Sequence, residues 1–338
     1  MDLRIFPRTL QLAETFTIAY ASSDEEPVVG IELRHGDLVG YGEATPFDRY
    51  GETTATAIAW LEQIAPLLGD DPFALAEIEQ RLLAVPGQMA ARAAVDAALH
   101  DLIGKICGQP LWRILGLTRT TPETTYTIGI DTVDGTADRA RRAVEAGYRR
   151  LKIKVGGADD LPRLKAVRAV TDVPVRVDAN EGWDLESAHA LLPQLQYMGV
   201  ELVEQPFPAD DLDSFRKLAR FAHGVPIVID EGCHTLTDIP EIARYANGVN
   251  IKLAKSGGLR EAVRMIAAAR SLGMVVMIGC MIESSAGIAP AAQIASLCDF
   301  VDLDGHLLLA EDPFEGLGLV DGALVLSDRP GLGVVPRV

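Results

Sequence analysis

The chain has 338 residues, 48% of them hydrophobic, and a formal net charge of −17. That charge argues against nucleic-acid backbones and anionic membranes as partners, and no apolar run is long enough to span a bilayer. Met1-Asp2-Leu3-Arg4 does not open a signal peptide. Cys107, Cys233, Cys280 and Cys298 are scattered without a Cys-x-x-Cys pair, which points to reduced thiols in a cytoplasmic protein.

In chain order, residues 1 to about 45 predict an antiparallel strand pair. Phe16 to Tyr20 alternates, Pro27 to Leu33 starts a second β-like run ending near Glu43, and the polar Ala21 to Glu26 reads as the loop between them. From Thr53 to Gly116 the pattern is helical, punctuated by Pro66, Pro72 and Pro86. His100 lies on an Ala-rich helix with no partner at ligand spacing and reads as structural. Residues 1–120 are therefore expected to form an α+β capping domain.

Pro122 reads as a linker. Beyond it β and α patterns alternate: strand 124–130, helix 133–146, strand 149–155, helix 159–170, and on to Asp304. Eight β runs on this rhythm predict an α/β barrel, and runs such as Met274 to Ile278 are apolar throughout, as strands covered on both faces should be. A barrel of this kind takes roughly 250 residues, leaving room for the cap. No clear helix follows the last run, so the expectation is a (β/α)7β TIM-like barrel over 121–310. The Gly- and Pro-rich segment 311–338 is expected to return to the cap and complete it.

Charged groups collect where these strands end. Asp178, Glu204 and Asp230 are separated by 26 residues each time, about one βα repeat, so successive strands would aim all three at one point. Three convergent carboxylates suit Mg²⁺. Lys152 and Lys154 are two apart on one strand and face the same way, and Lys252 ends a strand further on.

This arrangement resembles the enolase superfamily, in its muconate-lactonizing-enzyme-like subgroup, over nearly the whole chain. In that family Lys-x-Lys ends the second barrel strand, carboxylates end the third, fourth and fifth, and a Lys sits on the sixth. Lys152-Ile153-Lys154, Asp178, Glu204, Asp230 and Lys252 match in order, and Arg92 to Leu117 resembles the signature helix of the family's cap. The resemblance implies Lys154 as a base and Lys152 as a contact to a substrate carboxylate. Removing a proton α to a carboxylate makes a dianion, so the charge needs a metal and the base must be neutral near pH 7. Crowding by Lys152 should lower the pKa of Lys154. Lys252, from the opposite wall, would make a second base. Two lysines permit epimerisation, whereas one suffices for dehydration or cycloisomerisation. Lys255 reads instead as a loop or helix-terminus residue. Asn180, Gln205 and Glu231 could orient metal ligands, and Glu283 could approach the substrate carboxylate or be a solvated loop acid.

Asp302-Leu303-Asp304 narrows the substrate, because paired carboxylates suit an ammonium group. The pair resembles the Asp-x-Asp of dipeptide epimerases, which holds the dipeptide's N-terminal ammonium. His306 departs from that pattern, where Pro is expected, and bears on pocket shape. The expected activity is Mg²⁺-dependent epimerisation of the C-terminal residue of a dipeptide, with a homo-oligomer compatible. The alternatives are an o-succinylbenzoate synthase, N-acylamino acid racemase or cycloisomerase of the same superfamily, a Schiff-base aldolase using Lys252, and a silent metal-binding scaffold. Ala-Glu epimerases that the chain resembles carry an Arg in the loop between the first two strands. Tyr20 to Pro27 has none, and holds Asp24, Glu25 and Glu26 instead. An uncharged or cationic side chain is expected over Glu, in a cavity lined by Tyr20, Phe47 and Tyr50, with Arg49 the cation that would serve otherwise.

Overall fold

The computed structural model describes residues 1–221 and 224–337. The N-terminal part is a three-stranded antiparallel sheet of β1 (Asp2–Ile18), β2 (Ala21–His35) and β3 (Leu38–Ala44). This corrects the expected strand pair. Ala21 to Glu26 is not a loop: it continues β2, with Ile18 opposite Ala21 and Phe16 opposite Ser23, and only Ala19 and Tyr20 turn the chain. A projecting ribbon needs no apolar alternation on its solvent face, so polarity alone misreads it. At its root Val29, Ile31 and Leu33 are buried against helices 54–64 and 89–106. A side chain on Gly42 would start 2.1 Å from the Ala94 carbonyl oxygen, so glycine there lets helix 89–106 lie directly on β3.

Pro122 is also not in a linker. It lies in β4 (Thr120–Glu123), at the edge of a small sheet where its missing N–H is tolerated. The barrel follows as β5 (Tyr126–Ile128), β6 (Leu151–Lys154), β7 (Val175–Asp178), β8 (Val200–Glu204), β9 (Ile227–Ile229), β10 (Gly248–Lys252), β11 (Val275–Gly279) and β12 (Phe300–Asp302). Each pairs in parallel with the next, and a bridge between Thr124 and Val301 joins the two ends. Helices follow the first seven strands, while only a 3-10 turn, Gly305–Leu308, follows β12, giving the (β/α)7β order.

The rest of the chain forms β13 (Phe314–Glu315), β14 (Gly318–Val320), β15 (Ala323–Val325) and β16 (Val335–Pro336). β15 pairs with β4. The segment also reaches the cap: Leu332 N–H donates to Asp101 at 2.8 Å, and Phe314 meets the ring of Tyr41. Among the described residues, no helix is long and apolar enough to cross a membrane.

Residues two before the strand-end charges share their face and fill the barrel one layer down. Leu202, Val228, Met277 and Phe300 form one apolar cluster there. Arg176 lies with its guanidinium 4.6 Å from the centre of the Phe300 ring. This layer is the floor of the site.

Candidate active site

The strand order places the charged groups by quadrant. In an eight-stranded barrel, strands four apart face each other. Asp178 ends β7, Glu204 ends β8 and Asp230 follows β9, so the three acids form one wall centred on β8. β12, ending in Asp302, faces β8. β6, with Lys152 and Lys154, faces β10, which ends in Lys252.

One oxygen of each of Asp178, Glu204 and Asp230 lies within 4.8 Å of the others, and all three are buried. Such a group of hard, anionic oxygens fits a divalent cation of the Mg²⁺ class. Glu204 Oε2 lies 2.8 Å from Lys152 Nζ but receives no well-directed hydrogen bond, which leaves acceptor capacity at the centre of the group. The acids are also held from behind. Asn180 N–H donates to Asp178 at 2.9 Å, Asn250 Nδ2 to Glu204 at 2.8 Å, and Gln205 Oε1 accepts from Asp230 N–H at 2.9 Å. Asn180 Nδ2 donates to Glu231 at 3.0 Å. Asn180, Glu181 and Gln205 all have positive φ (41°, 66° and 36°), a strained turn just after two of the acids.

Lys152 Nζ stands 3.0 Å from Asp178, 2.8 Å from Glu204 and 2.7 Å from Asp302. Lys154 Nζ is 2.7 Å from Asp178, and Lys252 Nζ 2.7 Å from Asp230. Burial pulls the pKa of Lys152 and Lys252 down, but the facing carboxylates override it and hold both well above the ordinary lysine value. At Lys152 and Lys252, therefore, the acids and not lysine crowding set the charge. In Asp178 and Asp230 burial raises the pKa, yet the adjacent lysines bring it below the usual carboxylate range. Glu204 goes the other way, raised by burial and by Asp178.

Lys255 is placed differently from the sequence expectation. It does lie at the end of a short helix, Leu253–Ser256, but its side chain folds inward, is 1% exposed, and bonds both the backbone carbonyl and the carboxylate of Asp230. Nothing in residue spacing signals this. Asn250, by contrast, is signalled by its place two residues before Lys252 on the same strand face.

Asp302 takes Lys152 and the Thr125 hydroxyl, and Asp304 accepts the Thr127 N–H at 2.5 Å. Burial, then Asp302, push Asp304 up to about 7. It is an acid poorly supplied with positive charge. Both acids line the main cavity, with Lys152, Lys154, Lys252 and Asp230. Glu283 is not among the lining residues. It is buried beside Glu43 and pushed up to about 8 by burial and by that neighbour. Glu43 in turn accepts from Ser284 N–H at 2.7 Å and its hydroxyl at 2.6 Å. His306 likewise does not line the cavity. Its buried ring is held neutral, its pKa lowered to about 4 by burial. Arg49 is ion-paired to Glu181 and lies 4.9 Å from the Tyr20 ring centre.

Comparison with known proteins agrees with this geometry. Residues 135–337 match the family described as enolase C-terminal domain-like. Residues 1–116 match the mandelate racemase / muconate lactonizing enzyme N-terminal domain. The L-Ala-D/L-Glu epimerase of Bacteroides thetaiotaomicron is 40% identical over 99% of this chain and 88% of its own. The substrate-liganded L-Ala-D/L-Glu epimerase of Bacillus subtilis superposes with a TM-score of 0.94 at 31% identity, covering 100% of this chain and 99% of that one. The dipeptide epimerase of Methylococcus capsulatus complexed with Mg and the dipeptide L-Arg-D-Lys gives 0.93 at 35% identity, covering 99% of each.

Proposed function

The chain belongs to the enolase superfamily, among its mandelate racemase / muconate lactonizing enzyme-type dipeptide epimerases, and from that premise we propose how it works. It inverts the α-carbon of the C-terminal residue of an L,L-dipeptide by 1,1-proton transfer between Lys154 and Lys252. The observation that carries this reading is the quadrant layout. A wall of three acids centred on β8 faces the acid pair Asp302 and Asp304 at the end of β12, and two lysines flank the line between them.

A dipeptide carries both of those end groups. Its C-terminal carboxylate lies toward Asp178, Glu204 and Asp230, and Lys152 contacts it. Its N-terminal ammonium lies against Asp302 and Asp304, supplying the positive charge that Asp304 lacks. The C-terminal α-carbon then sits between Lys154 and Lys252. Mg²⁺ on Asp178, Glu204 and Asp230 would stabilise charge growing on the substrate carboxylate, and would offset the acids that raise the pKa of Lys152 and Lys252. One lysine removes the α-proton, and the other returns a proton to the opposite face. Asp230, gripped by Lys252 and Lys255, keeps the β10 lysine in register with the α-carbon. Glu283, buried beside Glu43 and outside the cavity lining, makes no substrate contact in this reading.

The rivals within the superfamily act on substrates without a free ammonium and leave Asp302 and Asp304 unexplained. The same reading divides the chain into a cap (1–120), a catalytic barrel (121–310) and a returning segment (311–338). The four free cysteines support a cytoplasmic location. The absence of any Arg or Lys from Tyr20 to Pro27 supports a preference for uncharged or cationic side chains over Glu. Incubating the protein and Mg²⁺ with mixed L,L-dipeptides in D₂O tests the reading. Single deuterium gain with formation of the L,D-epimer is expected, and no gain from any dipeptide would overturn it.

A further inference from the structure

The layout leaves one direction for the side chain of the inverted residue, and this inference rests on the dipeptide reading. Carboxylate, peptide nitrogen and the exchanging proton take the directions toward β8, β12 and the lysines. The floor is closed by Leu202, Val228, Met277 and Phe300. The side chain therefore leaves upward, toward the β1–β2 ribbon of the cap. There the cavity has apolar walls, including Phe16, Ile18 and Phe47, and one acid, Glu26.

Glu26 points inward because of its strand. It pairs with Leu10 and shares a face with Val28, and both of those are buried in one small apolar cluster. It is half-buried, and no hydrogen bond or ion pair among the described residues reaches its carboxylate. Burial first, and then the charge of Asp48, another acid, push Glu26 up to about 7. The nearby cation, Arg49, is engaged by Glu181 and Tyr20. The cavity thus ends in a desolvated acid without a counter-charge.

We propose that Glu26 is a specificity-determining residue that receives a cationic side chain, the ammonium of Lys or the guanidinium of Arg at the C-terminal position. The apolar wall takes the methylenes of such a side chain, and Glu26 takes its charged end. A substrate carboxylate there would meet an acid instead. Net charge of −17 favours the approach of cationic substrates as well.

The test is kcat/KM for L-Ala-L-Lys, L-Ala-L-Met and L-Ala-L-Glu, read by epimerisation in D₂O. L-Ala-L-Lys should exceed L-Ala-L-Glu by at least about tenfold, and the Lys-to-Met ratio should fall about tenfold in Glu26→Gln. A ratio is informative because a merely structural defect would lower both substrates alike. Asp48→Asn should lower the ratio less, and Glu26→Lys should move preference toward L-Ala-L-Glu. In the unaltered protein the Lys-to-Met ratio should rise as pH passes upward through about 7, where Glu26 loses its proton. An unchanged ratio in folded Glu26→Gln, or a wild-type preference for L-Ala-L-Glu, overturns the inference and leaves the epimerase reading standing. Failure of every L,L-dipeptide to exchange overturns both.

Discussion

Lys252 and Lys255, three residues apart, hold the two oxygens of one carboxylate. Lys252 Nζ lies 2.7 Å from Asp230 Oδ2, while Lys255 bonds Oδ1. Of these two, Lys252 lines the cavity and Lys255 does not. The pair therefore separates a group open to the cavity from one that fixes an acid in place.

The first prediction uses that difference. Lys252→Ala and Lys154→Ala should each lower epimerisation by about 10²–10⁴-fold. Each should retain α-proton exchange with one epimer of the C-terminal residue and lose it with the other. Lys255→Met should instead depress both directions alike and weaken Mg²⁺ binding. Deuterium exchange with separate L,L- and L,D-dipeptides measures this, and epimer-selective exchange in Lys255→Met would transfer the base role to that residue.

Metal dependence is the second. EDTA should abolish activity and Mg²⁺ restore it, and Asp178→Asn, Glu204→Gln and Asp230→Asn should each reduce Mg²⁺ affinity. Asn250, which orients Glu204 from the layer below, offers a subtler handle. Asn250→Ala should weaken Mg²⁺ by roughly 10–100-fold. Titration calorimetry checks both, and full turnover in excess EDTA would sink the mechanism.

For the ammonium site, N-acetylation of a good dipeptide substrate should lower kcat/KM by roughly ten- to a hundredfold, because Asp302 and Asp304 would face a neutral amide while buried. A faster N-acetyl substrate would move the activity to that of an N-acylamino acid racemase.

Glu43 and Glu283 make a stability prediction. Burial raises Glu43 to about 6, and burial with Glu43 raises Glu283 to about 8. Both favour the protonated form more when folded than when unfolded. Ionising them therefore costs stability, progressively, as pH rises from about 4.5 to about 8. Glu283→Gln should raise Tm at pH 8 by roughly 2 °C and by less at pH 5. A Tm difference independent of pH would show that the carboxyl's charge plays no part.

The acids and lysines of the barrel mouth were legible because strand ends can be counted. Asp178, Glu204, Asp230, Lys152, Lys154 and Lys252 need only alternation and a βα repeat to be brought together. What could not be read depends on turns. Lys255 enters the site through a four-residue helix, and Glu283 turns away toward Glu43 after β11. Ala21 to Glu26 reads as a loop because it is polar, although its polar residues cover an exposed ribbon. The inward aim of Glu26 follows only once that register is known. Arg49 could be named as a nearby cation, but its pairing with Glu181 joins two chain segments that no local pattern connects.

Asp101, wholly buried in the cap helix, accepts hydrogen bonds from Tyr41 N–H, Lys105 Nζ and Leu332 N–H, at 2.9, 2.6 and 2.8 Å. The first two donors come from the cap, and the third lies 231 residues further along. During synthesis, at roughly 5–20 residues per second, the cap helix emerges well before residue 332 does. For that interval the helix has an incompletely satisfied acid at its centre, and β4 lacks its β15 partner. The cap, made before the barrel, is thus among the last parts to be finished. A nascent chain stalled after β12 should carry a formed barrel strand set beneath an unsealed cap.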